Sequence, residues 1–316
     1  MKRTPKLLLA LVPLIAGGVL GARSIEVRDR LLRRYCGDLE EYFLEDGPTS
    51  GIARVSSSVF TFHYRFNRNI VVSTSDGLVV VDPFSAEAAK ALLELVAATP
   101  ELRGKPVHTV IYSHFHQDHA SGAAVLKPGA VLAHSKCPTY WKDYPASDIL
   151  APTRFISGDV HLDVGGVAID LLALEVSHTD TLYAVFLPGE RVLFTADQGF
   201  VRTIPPPAMN ACGYTPGFLH NLDRLAKLDF DVWIPSHWGY GKKADLIEAR
   251  EFLETLRDLC RKAAARHADS YTRSAFEAIF DEVYIPLKKR YGSWRGFEQV
   301  GFFVVMLNVQ MTVIGN

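Results

Sequence analysis

Three histidines and an aspartate fall within six residues of this chain, directly after an apolar, strand-like run. Residues 114–119 read His-Phe-His-Gln-Asp-His. Because side chains alternate faces along an extended segment, His114 and His116 point the same way and can bind one metal ion. Asp118 and His119 follow where the chain turns toward a helix, so their side chains can reach a second ion. The alternative is a histidine-rich surface loop in which Asp118 caps the helix.

Three more residues with metal-binding side chains each end an apolar, strand-like run. They are His178, Asp197 and His237. Strand ends that meet at one edge of a sheet form a site, so we expect these three to join the first four. Taken singly, each has another interpretation, as a turn histidine or as a turn or helix-capping aspartate.

The order of these residues resembles the metallo-β-lactamase fold superfamily. There, a His-x-His-x-Asp-His motif is followed by a distal His, a bridging Asp and a final His, and the resemblance runs from about residue 70 to residue 241. It implies a site for two metal ions. The first ion would be bound by His114, His116 and His178, the second by Asp118, His119 and His237, and Asp197 would bridge them.

Two further carboxylates are predicted to support the site. Asp82 closes an apolar run where the family has a structural aspartate near the metals. Asp180 lies two residues beyond His178 and is predicted to hydrogen-bond a ligand imidazole. A turn-stabilising role is the alternative for Asp180.

The resemblance implies an α/β fold, an αββα sandwich of two mixed β-sheets flanked by helices. The hydrophobic pattern agrees, because runs typical of strands are separated by turn residues and later give way to helical spacing. Strands are predicted at residues 55–64, 69–74, 77–81, 153–156, 160–163, 167–174, 181–187 and 191–195. Helices are predicted at residues 86–97, 242–265 and 271–289. The apolar segment 300–314 contains Asn308 and Gln310 and is short for a membrane span, so we expect a buried terminal helix or strand.

The resemblance also implies a hydrolase. A hydroxide bridged between two metal ions would cleave an ester-, thioester-, lactone- or lactam-like bond, and Asp118 would be the catalytic residue that orients the hydroxide or passes a proton to the leaving group. Two Zn²⁺ ions are expected, with iron or manganese as alternatives. The other functions left open are a β-lactamase proper, a sulfatase or phosphodiesterase of the same fold, and a non-catalytic metal-binding module. Di-iron redox proteins of this fold are disfavoured, because they carry a carboxylate at the position of His116 and a flavin domain.

The four cysteines, Cys36, Cys137, Cys212 and Cys260, have no CxxC spacing and none falls at a ligand position. One large group of the true β-lactamases has Cys where this chain has Asp197, so the oxygen ligand favours the thioesterase, lactonase, sulfatase and phosphodiesterase branches. Disulfides among the four cysteines and buried free thiols remain equally open.

The amino terminus has the pattern of a signal peptide. Three basic residues precede an apolar stretch at residues 7–20, so residues 1–22 are predicted to be a signal peptide or a membrane anchor. The protein would then be exported, to the periplasm or outside the cell, with residues 23–316 forming the hydrolase domain and its C-terminal covering helices. Any membrane association is expected only through this segment.

A small molecule is the expected partner. The net charge of -1 provides no basic surface for nucleic acid, so we expect no nucleic-acid partner. Residues 199–214, which include three consecutive prolines, are predicted to form a long loop. That loop either covers the metals or is a surface connection without substrate contact.

Overall fold

The computed structural model describes residues 42–43, 48–207, 214–267 and 272–314. The chain divides into two units, Met1–Leu44 and Glu45–Asn316. In the first unit only Tyr42 and Phe43 are described, and both are helical. The predicted signal peptide or anchor, Cys36, Cys212 and part of the predicted loop at 199–214 lie outside the described residues.

The first sheet is built from consecutive strands of the amino-terminal half. In sheet order they are β1 (Ser50–Arg54), β2 (Val59–Tyr64), β3 (Asn67–Ser73), β4 (Leu78–Val81), β5 (Val107–Ile111), β6 (Ala130–His134) and β7 (Arg154–Ile156). β1 to β4 pair antiparallel, and β4 to β7 pair parallel. β3 and β4 are buried along nearly their whole length, as strands covered on both faces should be.

The second sheet follows in the chain and is also mixed. Its order is β13 (Gly241–Lys242), β12 (Val232–Pro235), β11 (Val192–Thr195), β10 (Tyr183–Leu187), β9 (Val167–Ala173) and β8 (Val160–Val164). All neighbours pair antiparallel except β11 and β12, which are parallel. The prediction of two mixed sheets flanked by helices is confirmed.

Eight helices complete the described structure. They are α1 (Ala86–Ala98), α2 (Gln117–Ala120), α3 (Ala123–Leu126), α4 (Cys137–Asp143), α5 (Thr215–Leu225), α6 (Lys243–Arg266), α7 (Arg273–Tyr291) and α8 (Phe297–Ile314). α1 starts at Ser85, whose side chain accepts a hydrogen bond from the Ala88 N–H, and it buries Ala89 and Leu92 with the core of the first sheet. α6 packs on β12 of the second sheet, and α7 and α8 pack on α6.

The C-terminal apolar segment is a helix, one of the two outcomes predicted for it. α8 buries residues along one side, including Val300, Val304 and Val309, in contact with α6 and α7. Of the helices in the described residues, it is the one that is long and apolar enough to cross a membrane by length and composition alone.

The strand boundaries differ from prediction most at the first hairpin. β2 begins at Val59 and not at residue 55, because the preceding residues form a turn in which the Val55 N–H donates to the Val59 carbonyl. The hydroxyls of Ser57 and Ser58 in that turn donate to Glu190, in the turn between β10 and β11. The polar run therefore connects the two sheets and does not extend the strand.

Candidate metal centre

The predicted ligands all follow strands, on the edge where the two sheets meet. β5 leads into His114 and His116, and α2 carries Asp118 and His119. The other three ligands follow β9, β11 and β12. Because β11 and β12 are parallel, they place Asp197 and His237 side by side.

All seven side chains come together in two groups, each with its ligand atoms within 4.8 Å of one another. The first group is His114, His116, His178 and Asp197, and the second is Asp118, His119 and His237. These sets match the two ligand sets implied by the sequence, with Asp197 counted in the first. All but Asp118 are buried or half-buried.

Asp197 lies at the centre of the site and contacts ligands of both groups. Its Oδ2 is 3.5 Å from His114 Nε2, 3.3 Å from His178 Nε2 and 3.2 Å from His119 Nε2. Its Oδ1 is 3.0 Å from His237 Nε2. The Ser236 hydroxyl donates to Oδ1 at 3.0 Å and accepts from the Asp197 N–H at 3.2 Å, which fixes the carboxylate. This position between the groups is the one that a bridging ligand occupies.

Asp82 orients two of the ligand imidazoles from behind. It is fully buried, and its Oδ2 accepts from His119 Nδ1 at 2.9 Å and from the Ser113 hydroxyl at 2.6 Å. Since the Ser113 proton is used on Asp82, Ser113 Oγ accepts from His114 Nδ1, 3.0 Å away. Both imidazoles therefore carry their proton on Nδ1 and direct an Nε2 lone pair into the site.

The arrangement of acceptor atoms fits a bound cation. His119 Nε2 is buried and has no hydrogen-bond partner among the described residues. His116 Nδ1 lies 3.0 Å from His114 Nε2 and 2.9 Å from His178 Nε2, and one proton cannot serve both contacts. Lone pairs that face each other and a buried carboxylate are stabilised by positive charge between them. Imidazole and carboxylate donors suit zinc, iron or manganese.

The protonation preferences of the site agree with metal binding. Burial lowers the pKa of His114 well below its usual value and that of His116 to about 4, so both imidazoles are neutral at pH 7 and have lone pairs to donate. Burial would raise the pKa of Asp197, but His119 and His237 hold it well below its usual range. Although burial opposes it, Asp197 and Asp118 raise the pKa of His119. The carboxylates that attract a proton there also attract a cation.

Asp180 has a different role from the one predicted. Its carboxylate accepts from Tyr140 Oη at 2.6 Å and from Lys136 Nζ at 2.8 Å, and not from a ligand imidazole. The Tyr140 ring stacks on Phe115, with ring centroids 4.0 Å apart. Asp180 thus fastens α4 to the loop after β9 and, through Tyr140, to the segment between His114 and His116.

A buried amide network that the sequence analysis missed joins two ligand loops. Gln198 Nε2 donates to Ser177 Oγ at 3.0 Å, and Asn221 Nδ2 donates to Ser177 Oγ and to Gln198 Oε1, both at 3.1 Å. Ser177 precedes His178 and Gln198 follows Asp197, so adjacency to a ligand was the available signal for these two. Nothing in the sequence marks Asn221, which lies on α5.

His237 is held by a short ladder between the two sheets. Residue 66 accepts from the Trp238 N–H and residue 68 donates its N–H to the Ser236 carbonyl, both at 2.6 Å, with Asn67 paired opposite His237. The Phe66 ring stacks on the imidazole, with centroids 5.3 Å apart. This ladder fixes the last ligand in the chain against the start of β3.

Comparison with known families decides the assignment. The sequence model of the metallo-beta-lactamase superfamily matches residues 65–237, more than half of the chain. The chain belongs to the metallo-beta-lactamase superfamily. The matched segment contains Asp82 and all seven side chains of the two groups, and the resemblance inferred from the sequence is confirmed.

Individual members of the superfamily are related to the chain at low identity. It is 28% identical to the 2,4-dinitroanisole O-demethylase subunit alpha of Nocardioides sp. (strain JS1661), over 60% of the chain and 58% of that protein. It is 28% identical to a hydroxyacylglutathione hydrolase of Idiomarina loihiensis, over 42% of the chain and 45% of that protein. It is 20% identical to a linear primary-alkylsulfatase of Pseudomonas sp. (strain ATCC 19151), over 64% and 46%. The chain thus spans about half the length of these relatives.

Solved structures of the superfamily share the fold. A metallo-beta-lactamase from Pontibacter korlensis superposes with a TM-score of 0.57 and 20% identity, over 65% of the chain and 99% of that structure. The stereoselective inverting sec-alkylsulfatase Pisa1 from Pseudomonas sp. superposes with a TM-score of 0.65 and 19% identity, over 84% of the chain and 50% of that structure.

Proposed function

We propose that this superfamily member is a hydrolase of a small organic substrate that depends on two divalent metal ions. The observation that carries the proposal is the pair of ligand groups with Asp197 between them. A non-catalytic metal-binding module is disfavoured, because the set of imidazole and carboxylate ligands is intact and includes an exposed carboxylate.

The proposed division of the ligands between the two ions is the one that the sequence implied. His114, His116 and His178 would hold one ion, Asp118, His119 and His237 the other, and Asp197 both. Cations held there would polarise a substrate oxygen and lower the pKa of a bound water from 15.7 to about 7. Zn²⁺ is the expected metal, with iron or manganese as alternatives that elemental analysis of the purified protein distinguishes.

Asp118 is the group proposed to move protons. Its side chain is 59% exposed, whereas that of Asp197 is 4% exposed, so Asp118 alone of these two carboxylates can reach solvent and substrate together. Its Oδ2 is 3.6 Å from His119 Nε2, which places it at the second ligand group. From this position it can accept a proton from the attacking water and pass it to the leaving group.

The substrate is proposed to contain an ester-, thioester-, lactone- or lactam-like bond. Sulfate ester cleavage is the second candidate, because a relative similar over 64% of the chain is named as an alkylsulfatase. The name of another relative adds an aryl methyl ether to the bonds worth testing.

The full-length protein, purified in detergent, should be assayed for initial rates on one compound of each class, with and without a chelator. A suitable panel is a thioester, a lactone, a β-lactam, an alkyl sulfate, a phosphodiester and a nitroaryl methyl ether. We expect chelator-sensitive turnover of one class and its loss in His119→Ala. A metal-loaded protein that turns over none of them, or turnover that survives both treatments, contradicts the proposal.

We also infer that residues 1–22 direct export, as a cleaved signal peptide or as an anchor. The basis is the basic amino terminus followed by the apolar stretch at 7–20. Cell fractionation with intact mass measurement tests it. Full-length protein recovered from the cytoplasm contradicts export.

A further inference from the structure

The short helix α4 contacts both loops that carry the histidines of the first group. One loop follows β5 and carries His114 and His116, and the other follows β9 and carries His178. β5 belongs to the first sheet and β9 to the second, so the two loops reach the site from different sheets. A helix that contacts both loops can fix the distance between their imidazoles.

Two aromatic side chains of α4 hold Phe115, the residue between His114 and His116. The Tyr140 ring stacks on the Phe115 ring, with an interplanar angle of 11° and centroids 4.0 Å apart. The Trp141 Nε1–H donates to the Phe115 carbonyl at 2.7 Å. The ring and the carbonyl of Phe115 are therefore both held by α4, which limits how the two flanking imidazoles can move.

The same helix holds the other loop through Asp180, two residues beyond His178. Tyr140 Oη donates to Asp180 Oδ1 at 2.6 Å, and such a short contact to a carboxylate is stronger than a hydrogen bond between neutral groups. Lys136 Nζ donates to Oδ2 at 2.8 Å, but its side chain is 57% exposed, so water screens this ion pair. Tyr140 thus contacts one loop with its ring and the other with its hydroxyl.

The histidines of the second group are held by other parts of the molecule. His119 Nδ1 donates to Asp82 Oδ2 at 2.9 Å. His237 lies in the ladder between residues 66–68 and 236–238. Neither of these supports involves α4. A change in α4 should therefore affect the first group and leave the second in place.

We propose that Tyr140 is a positioning residue for the first metal ion: by stacking on Phe115 and donating to Asp180, it sets the distance between the two loops that carry the first group. The inference rests on the metal site of the proposed function and not on its hydrolytic chemistry. A protein that binds two metal ions but hydrolyses nothing still tests it.

Single substitutions separate the hydroxyl of Tyr140 from its ring. Tyr140→Phe removes the donor to Asp180 and keeps the stack on Phe115, whereas Tyr140→Leu removes both. Asp180→Asn keeps an oxygen that can accept from Tyr140, and Asp180→Ala does not. Tyr144→Phe is the matched control, because it deletes the same hydroxyl from a residue that is 71% exposed at the end of α4.

Titration of the metal-free, full-length protein with ¹¹³Cd²⁺ measures the binding of each ion separately by ¹¹³Cd NMR. The chemical shift of cadmium depends on its ligand atoms. An ion bound by three imidazoles and the bridging carboxylate therefore resonates apart from one bound by two imidazoles and two carboxylates. Competition with a chelator gives the affinity for each ion, and the thermal midpoints of the metal-free proteins report any general loss of stability.

In Tyr140→Phe we expect affinity for the first Cd²⁺ to fall by about 10-fold, and in Tyr140→Leu by about 10 to 100-fold, with affinity for the second unchanged. Asp180→Ala should match Tyr140→Phe. The double variant that combines these two substitutions should bind the first ion no more weakly than either, because both remove the same hydrogen bond. Asp180→Asn and Tyr144→Phe should stay close to wild type.

A wild-type first affinity in either Tyr140 variant overturns the inference. Equal losses at both ions with a lower thermal midpoint also overturn it, because they would show a general structural role. Additive losses in the double variant overturn it as well, since Tyr140 and Asp180 would then act separately. A wild-type protein that binds no metal overturns this inference and the proposed function together, whereas one that binds both ions but hydrolyses nothing overturns only the proposed function.

Discussion

At the scale of single residues, the site depends on side chains that hold the ligands as much as on the ligands. Asp82 has no place in either ligand group, yet it fixes the protons of His119 and, through Ser113, of His114. The backbone at Asp82 has a φ of 55°, in the left-handed region that most residues avoid. This strained turn brings one carboxylate to two imidazoles.

Replacing Asp82 with Asn should weaken metal binding without removing a ligand. In either orientation the new amide N–H₂ would face a buried donor: the Ser113 N–H, which donates to Oδ1, or the His119 N–H and the Ser113 hydroxyl, which donate to Oδ2. We expect metal affinity to fall by about 10 to 100-fold and the free energy of unfolding to fall by about 2 kcal/mol. Zinc titration and urea unfolding of the metal-free protein measure the two effects. Wild-type metal affinity in a folded variant would show that the imidazoles keep their orientation without Asp82.

In contrast to Asp82→Asn, the Asp118→Asn substitution should lower activity without lowering the stability of the metal-free protein. Since the Asp118 side chain is 59% exposed, its substitution should leave the thermal midpoint of the metal-free protein unchanged. Losing its carboxylate should lower kcat by about 100-fold or more. Asp143→Asn, at an exposed position on α4, is the matched control and should keep full activity. Equal activities for the two variants would remove Asp118 from the mechanism.

The seven side chains that come together in the two groups were predictable from sequence, whereas the residues that hold them in place were not. Each ligand follows an apolar run, and the spacing of His114, His116 and His119 is visible within six residues. Asn221 and Asn67 contribute through contacts with segments far away in the chain, which spacing does not show. Asp180 was assigned to a ligand imidazole on proximity in sequence, but Lys136 and Tyr140 bind its carboxylate.

At the scale of secondary-structure elements, α5 is packed tightly against the loop that carries His178. The Tyr214 N–H donates to the Ser177 carbonyl at 2.9 Å just before the helix starts. A Cβ atom added at Gly217 would lie 1.8 Å from the Val176 carbonyl oxygen. The first turn of the helix therefore sets the position of the segment before the ligand.

Gly217→Ala should destabilise the protein, although Gly to Ala inside a helix usually stabilises by about 1 kcal/mol. The overlap with backbone should cost about 3 kcal/mol and, by displacing His178, lower kcat/KM by up to about 100-fold. Gly189→Ala is the control, because a Cβ there meets nothing within 4 Å. If Gly217→Ala kept wild-type stability and turnover, α5 would have shifted to relieve the overlap without displacing the loop that contains His178.

Glu190 should give stability that depends on pH. It accepts from Ser57 and Ser58, and although burial raises its pKa, the serine hydroxyls lower it from 4.5 to about 2. Because the folded pKa is depressed, the contribution is complete above about pH 4.5 and is lost as pH falls toward 2.

Unfolding free energies of the wild type and Glu190→Gln, measured from pH 7 to pH 2.5, test this. The difference should be about 1 kcal/mol at pH 7 and should shrink toward zero at the acid end. Glu94→Gln, exposed on α1, should show no comparable trend. A gap of constant size across the range would show that the carboxylate charge does not matter to the contact between the sheets.

At the scale of the whole molecule, the architecture was predictable because strand-like and helical patterns succeed each other in the order that the family requires. The short strand β1, with a glycine and two exposed residues, carries too little hydrophobic signal to be found. The hydrophobic pattern predicts a strand through the serine run before β2, because the contact of these serines with Glu190 joins residues far apart in the chain. Strand boundaries of this kind depend on tertiary contacts, whereas the existence and order of the strands follow from the hydrophobic pattern along the chain.

Removal of metal should lower the stability of the whole domain, because its ligands come from both sheets. Protein held at about 1,000 times the metal dissociation constant gains about 4 kcal/mol from binding. A chelator should therefore lower the thermal midpoint by about 8 °C or more, and added zinc should restore it. If the chelator left the thermal midpoint unchanged, these side chains would hold no metal in the purified protein.

Along the chain, all the strands of the first sheet come before any strand of the second. Every strand of the first sheet ends by Ile156, and every strand of the second begins at Val160 or later. Gly158 between them is exposed, has a φ of 66°, and has no neighbour where a Cβ would lie. The first portion carries four of the seven side chains of the two groups and the second carries three, so neither fragment contains all of either group. If the polypeptide were cut at Gly158, neither fragment alone should bind metal. Metal binding by a mixture of the two fragments would then show that they had reassembled.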